Sequence, residues 1–186
     1  IADDGNGHGT HVAGTIAGAN DGIGITGVAY DANIMPIRVL NDNGSGYLSD
    51  VTAGIRFAAD NNADVINLSL GGGGYNSSMY EAIQYASELG SVVVMASGNE
   101  YANIPGYPAY YARDYGIAVG AVDINFDMAN FSNKAGDIAL DYVTLGYITY
   151  IHASFANKQA LHTSHAYTHA CMHDIHTYIA RITLHT

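Results

Sequence analysis

Short apolar segments alternate with amphipathic segments through the middle of this chain, and this alternation restricts the possible folds more than any other feature. Each apolar segment is brief and is bounded by small or turn-forming residues, which favours a buried strand. Strand, helix and strand in repeated order predict a parallel sheet with helices on its faces. The predicted strands cover residues 34–40, 64–70, 91–96 and 116–122.

Two amphipathic helices are predicted between these strands. The first follows Ser49 and Asp50, either of which can cap its first turn. Residues 1–146 show neither an internal repeat nor a linker, so they are predicted to form one domain. The residues expected to be buried are Val51, Ile55, Phe57 and Ala58 in the first helix, and Met79, Ile83, Tyr85, Ala86 and Leu89 in the second, which covers 79–89.

The chain is acidic, with 17 acidic and 6 basic residues and a net charge of −11 over 186 residues. This charge argues against nucleic acid and anionic membrane surfaces as partners. Its single cysteine, Cys171, excludes an internal disulfide, and no apolar run approaches the roughly 18 residues that span a membrane. These features suit a soluble protein and leave its chemistry open.

Two histidines, His8 and His11, lie among small residues near the start of the chain. Zinc-binding helices carry histidines four apart with a glutamate between them, whereas these are three apart with Gly and Thr between them. Zinc is therefore not favoured. Because Gly7 and Gly9 flank His8, its ring can face an open cleft. The alternative is a glycine-rich turn with two incidental histidines.

The strand predicted at 91–96 leads into small residues and Asn99. Ligands of open α/β sheets gather at such carboxyl ends, although Asn99 is also an ordinary turn residue. Two glycine-rich loops invite a nucleotide interpretation. Residues 22–27 lack a strand before and a helix after them, and no Lys-Ser or Lys-Thr follows residues 71–74. Phosphate binding is therefore not favoured.

Residues 4–18, Asp-Gly-Asn-Gly-His-Gly-Thr-His-Val-Ala-Gly-Thr-Ile-Ala-Gly, resemble the histidine box of the subtilisin-like serine proteases. The resemblance is strong over residues 3–146. It implies an α/β, three-layer subtilisin-like fold with a mainly parallel sheet and helices on both faces. It also implies a serine endopeptidase in which His8 is the general base, His11 is structural, and the uncharged amide of Asn99 holds the oxyanion.

The resemblance further implies a groove that binds a peptide or protein substrate as an added strand between two loops. Glycines there let a second backbone approach closely, and the alternative for each loop is an ordinary turn. One loop contains Ser69, Leu70 and Gly71, the other contains Gly44, Ser45 and Gly46, and a pocket wall contains Ala96, Ser97 and Gly98 with Glu100 at its rim.

A partial calcium loop is also implied by the resemblance. Calcium takes six to eight oxygen ligands, and the family supplies the others from further upstream. Because the chain opens inside the histidine motif, we expect an N-terminally truncated domain that lacks these ligands and the catalytic aspartate. The family also implies a secreted monomer, although the chain carries no signal peptide. The loop ligands would be Ala19, Asp21, Ile23 and Ile25.

Residues 147–186 change in composition and contain seven of the nine histidines. We interpret them as a divergent segment at the position of the nucleophile helix. Residues 162–169 resemble the family's nucleophile box, G-T-S-M-A-x-P-H, which makes Ser164 the nucleophile. The alternatives are an inactive fragment that keeps its peptide-binding edges, a low-complexity tail, and a metal-binding stripe. The stripe would consist of His162, His165, His169, His173 and His176.

Overall fold

The computed structural model of this chain describes residues 3–136, 142–145 and 178–183. Its helices and strands alternate through the middle of the chain, as the apolar pattern predicts. The helices are α1 (His8–Ala17), α2 (Leu48–Asp60), α3 (Ser77–Glu88) and a short 3₁₀ helix (Ala109–Arg113). The strands are β1 (Asn33–Arg38), β2 (Val65–Leu68), β3 (Val92–Ala96), β4 (Ile117–Val122), β5 (Tyr142–Leu145) and β6 (Tyr178–Thr183).

The strands form a single sheet in the order β1-β6-β2-β3-β4-β5. The pairs β2–β3, β3–β4 and β4–β5 are parallel. Strand β6 is antiparallel to both β1 and β2, so β1 runs in the same direction as β2. The prediction of a mainly parallel sheet is therefore confirmed.

Helices cover both faces of this sheet, as the contacts of β2 show. Successive side chains of a strand point to opposite faces, so Val65 and Ile66 lie in different cores. Val65 faces α1, where it packs in one core cluster with Val12 and Ile16. Ile66 faces α2 and α3, where it packs in the larger cluster with Ile55 and Ile83. Two cores on either side of one sheet make the three-layer architecture that the family resemblance implies.

The helix predictions hold in position and fail at three details. Helix α2 begins after Tyr47 without a side-chain cap, so neither Ser49 nor Asp50 serves as one. Phe57 is 53% exposed because the buried face of α2 follows residues 51, 54, 55, 58 and 59, and position 57 lies off that face. Leu89 is 55% exposed because α3 ends one residue earlier, at Glu88.

Strand β6 comes from the segment interpreted as a divergent tail, yet its backbone pairs between β1 and β2. Ala180 lies opposite Pro36 on one side and Asn67 on the other. Backbone pairing depends on main-chain groups more than on side-chain identity, so a segment of unusual composition can complete the sheet. The boundary at residue 146 between core and tail remains a prediction.

Candidate functional site

The loops singled out in the sequence share one edge of the sheet. Residues 69–72 follow β2, and residues 97–100 follow β3, which is parallel to β2. Residues 44–46 follow β1, which runs in the same direction. Carboxyl ends of parallel strands meet at the same edge, where open α/β proteins bind their ligands.

The segment that leads into helix α1 is held at this edge by polar contacts with the last residue of β1 and with the turn that follows it. Arg38 Nη1 donates to the Asp3 carbonyl at 3.0 Å, and Asn6 Nδ2 donates to the Asp42 carbonyl at 2.9 Å. His8 is the first residue of α1 and is half-buried. The predicted general base therefore lies at the edge that carries the predicted binding loops.

Asp4 organises the helix start, a role that the sequence did not reveal. Its carboxylate accepts hydrogen bonds from the backbone N–H of Gly7 and of Thr10, both at 2.8 Å, and from Thr10 Oγ1 at 2.6 Å. The Asn6 N–H adds a longer bond of 3.2 Å. Desolvation raises the pKa of Asp4, but these hydrogen bonds outweigh it and lower the pKa to about 2.

We expect Asp4→Asn to destabilise the protein by about 1 kcal/mol at pH 7, the usual cost of losing a helix-capping group. The pKa of Asp4 in the folded protein lies below its ordinary value of 3.8. Its stabilising contribution is therefore complete above pH 3.8 and declines as the pH falls towards 2. Urea unfolding of both proteins at pH 7, 5 and 3 should show a difference that shrinks only at the lowest pH. A pH-independent difference would contradict this role.

The two predicted peptide-binding loops face each other across one cavity of about 540 Å³. Gly44, Ser45 and Gly46 line one side, and Leu70 and Gly71 line the other. The structure thus brings together loops that are separated in the chain by helix α2 and strand β2. The cavity is also lined by Leu40, Leu48, Val51, Gly72, Gly73, Gly74, Tyr75, Asn76, Met79, Tyr107, Pro108 and Tyr111.

Ser69 does not line this cavity. It is 2% exposed, and its hydroxyl accepts a hydrogen bond from Asn67 Nδ2 at 3.0 Å. Because alternate strand positions face opposite sides, Ser69 follows Asn67 inward while Leu70 faces the cavity. The predicted contribution of Ser69 to binding is therefore limited to its backbone.

Three tyrosines line the cavity, and the sequence analysis did not single them out. The Tyr111 hydroxyl accepts from the Asn76 N–H at 2.8 Å and donates to the Asn76 carbonyl at 3.0 Å. The ring of Tyr75 meets those of Tyr107 and Tyr111 edge-on, at centroid distances of 6.3 and 5.9 Å. These contacts hold the glycine-rich loop to the 3₁₀ helix and make the cavity aromatic.

The segment after β3 carries the predicted oxyanion donor. Asn99 is half-buried, and its side-chain amide makes no hydrogen bond within residues 3–136. Ser97 is 2% exposed and bonds to Ser132 and Asn133, so its side chain points inward. Residues 96–100 do not line the cavity between the glycine loops. Their role as the pocket wall opposite residues 69–71 remains a prediction.

The predicted calcium ligands lie in an exposed loop between α1 and β1. Asp21 is the one carboxylate among the four predicted ligands, and Asp21 Oδ1 accepts from the Ile23 N–H at 3.0 Å. In the described part of the chain no group of three His, Cys, Asp or Glu residues could hold a metal ion. The four predicted ligands are fewer than the six to eight oxygens that calcium takes, and calcium binding by this loop remains a prediction.

The remaining predicted site residues fall outside the described part of the chain. These are the proposed nucleophile Ser164 and the histidines of the possible metal-binding stripe at 162–176. Among the described residues, none of the helices combines the length and apolar character that crossing a membrane requires.

The fold resembles a solved structure described as a cold adapted subtilisin-like serine proteinase. The match has a TM-score of 0.67 and 36% sequence identity, and it covers 77% of this chain and 50% of that chain. A three-layer α/β fold with a histidine at a helix start and glycine-rich loops at one sheet edge thus defines a subtilisin-like architecture.

The chain belongs to the subtilase family, whose family model matches residues 1–174. It is 46% identical to subtilisin DY of Bacillus licheniformis over 139 residues, which is 73% of this chain and 50% of that protein. It is 49% identical to thermitase of Thermoactinomyces vulgaris over 129 residues, which is 69% of this chain and 46% of that protein. The chain therefore spans about half the length of these curated relatives.

Proposed function

We propose that this chain carries part of the active centre of a subtilisin-type serine endopeptidase. The observation that supports the proposal most is the convergence of the His8 helix start, the loop after β3 and both glycine-rich loops on one sheet edge. Secretion, a monomeric state and structural calcium belong to the same proposal and rest on the family resemblance.

In the proposed reaction His8 takes the hydroxyl proton of Ser164 while the Ser164 Oγ attacks the peptide carbonyl carbon. The amide of Asn99 and the backbone N–H of Ser164 stabilise the resulting oxyanion. The C–N bond then breaks, and the leaving amine receives its proton from His8. Water, deprotonated by His8, hydrolyses the acyl-enzyme and returns Ser164 to its hydroxyl form.

The proposed substrate is an extended peptide that pairs with residues 44–46 and 70–72. The cavity between these loops is lined by Leu70, Met79 and tyrosines, with no charged side chain among its lining residues. A large apolar or aromatic side chain of the peptide therefore fits it better than a charged one.

A fluorophosphonate probe tests the proposal because it phosphonylates an activated serine. We expect labelling at Ser164, located by peptide mapping, on protein shown to be folded by circular dichroism. Hydrolysis of a chromogenic peptide with an aromatic residue at the cavity position should accompany it. Folded protein without label or hydrolysis would contradict peptidase activity. Fluorescence polarisation with the same peptide would then reveal an inactive fragment that keeps its binding edges.

A further inference from the structure

We propose that Asn133 is a positioning residue that holds the backbone on both sides of Asn99. The inference rests on the proposed function, in which Asn99 donates to the oxyanion. Asn133 lies far along the chain in a loop after β4, and its side chain is 1% exposed. Nothing in the proposed reaction uses this buried amide directly.

The Asn133 side chain makes four hydrogen bonds to the segment around Asn99. Nδ2 donates to the Ser97 carbonyl at 2.9 Å and to Glu100 Oε2 at 2.8 Å. Oδ1 accepts from the N–H groups of Glu100 at 3.0 Å and Ala102 at 2.9 Å. The Asn133 backbone N–H adds a bond of 3.0 Å to the Gly98 carbonyl. These contacts lie before and after Asn99 in the chain.

A carboxamide is the chemical group that this site requires. It has two N–H donors and a carbonyl oxygen with two lone pairs, and all of them are used here. Aspartate would present an oxygen to the Ser97 carbonyl and the Glu100 carboxylate, whereas leucine would leave two N–H groups without their acceptor. The site therefore selects asparagine by its hydrogen-bonding pattern as well as its size.

The segment that Asn133 holds has an irregular backbone. Gly98 has φ of +108° and Tyr101 has φ of +54°. A β-carbon at Gly98 would overlap the Asn133 amide, so the absence of a side chain lets the amide approach the backbone. Because residues 97–101 belong to no helix or strand, their position depends on a few backbone hydrogen bonds and on the contacts of the Asn133 side chain.

Asn133 is itself anchored to the sheet through its neighbour Ser132. The Ser132 hydroxyl accepts from the Ala121 N–H of β4 at 2.9 Å and donates to the Asn133 carbonyl at 3.1 Å. Backbone bonds from Tyr101 to Phe131 and from Lys134 to Ala102 also join the two segments. These backbone bonds persist in an Asn133 variant, so we expect such a variant to fold.

A preorganised donor is effective only while it keeps its position, and a displacement near 1 Å costs about 100-fold in rate. We expect Asn133→Ala to lower kcat by about 10- to 100-fold and to change KM by less than about threefold, because Asn99 acts chiefly on the transition state. Ser91→Ala is the matched control: it removes a buried hydroxyl that donates to the Ala63 carbonyl at 2.7 Å, at the start of β3. It should lower Tm without lowering kcat.

A double-mutant cycle measures how strongly the substitutions at Asn133 and Glu100 depend on each other in kcat. A general loss of stability does not produce this dependence. Asn133→Asp should lower kcat about tenfold or more in the wild-type background, since its carboxylate faces that of Glu100. In the Glu100→Gln background the loss should shrink to about threefold, because the Gln amide can donate to the new carboxylate. Equal losses in both backgrounds, or a kcat for Asn133→Ala no lower than that of Ser91→Ala, would overturn the role of Asn133.

Amide hydrogen exchange separates this inference from the proposed activity. An inactive wild type would defeat the proposed function, and exchange would then decide the role of Asn133 by itself. We expect Asn133→Ala to speed exchange at residues 98–102 by at least about tenfold while β4 keeps its protection. Unchanged exchange at residues 98–102 would refute the positioning role in an inactive chain.

Discussion

His8→Ala should lower kcat/KM for peptide hydrolysis by at least about 10²–10⁴-fold, the usual contribution of a general base. In the proposed reaction His8 takes the proton of Ser164. Asp4 is committed to the helix start through Gly7 and Thr10, and its low pKa makes it a weak base. The measurement is steady-state hydrolysis of a chromogenic peptide together with fluorophosphonate labelling.

His11→Ala is the matched control. His11 lies one helical turn further along α1 and is exposed, so its loss leaves the sheet edge intact. Alanine is also a strong helix former, which favours a folded variant. We expect this variant to keep wild-type kcat/KM within about threefold. Equal activity in His8→Ala and the wild type would rule out His8 as the base.

Gly27→Ala should destabilise the fold by about 2–3 kcal/mol, the upper part of the range for overpacking a tight site. A β-carbon on Gly27 would lie 2.6 Å from the Ala17 nitrogen and 2.7 Å from its Cα. These are backbone atoms at the end of α1, so they cannot move aside as a flexible side chain would. Two backbone hydrogen bonds hold this segment against the end of α1. The Gly27 N–H donates to the Gly18 carbonyl, and the Ala29 N–H donates to the Ile16 carbonyl.

Gly74→Ala provides the comparison for this prediction. No atom of the described residues lies within 4 Å of a β-carbon built at Gly74, and its φ lies outside the left-handed range. We expect a change in the free energy of unfolding of less than about 0.5 kcal/mol for it. Urea unfolding followed by circular dichroism measures both variants. Similar values for the two would show that the backbone at Gly27 can relax.

The layer architecture could be predicted because it depends on local periodicity. Side chains alternate between the two faces of β2, and apolar residues recur at helical spacing in α3. These two patterns place Ile66 and Ile83 on facing surfaces, and both side chains are fully buried. The same reasoning failed for Phe57 because the exact edge of a helical face depends on which neighbours pack against it. The antiparallel pairing of β6 was equally out of reach, since strand order is a property of the whole sheet.

In the candidate site too, local sequence features could be predicted and contacts between distant segments could not. His8 and Asn99 were predicted because a short motif or a strand end identifies each of them. Asp4 is the first residue of the recognised motif, but its hydrogen bonds with Thr10 depend on how the chain enters α1. Asn133 and Tyr111 act on segments more than 30 residues away in the chain, and local sequence carries no record of those contacts.

The amino-acid sequence by itself determined the family and the three layers, and it predicted a base and an oxyanion donor, because periodicity and contiguous motifs are local. The tertiary structure decided which loops share a cavity, which residue caps the histidine helix and which amide holds the segment around Asn99. The last of these contacts join Ser97 and Glu100 to Asn133, and strand β4 lies between them in the chain. Their geometry follows from the packing of the whole domain, since these hydrogen bonds form only when packing has brought both segments together.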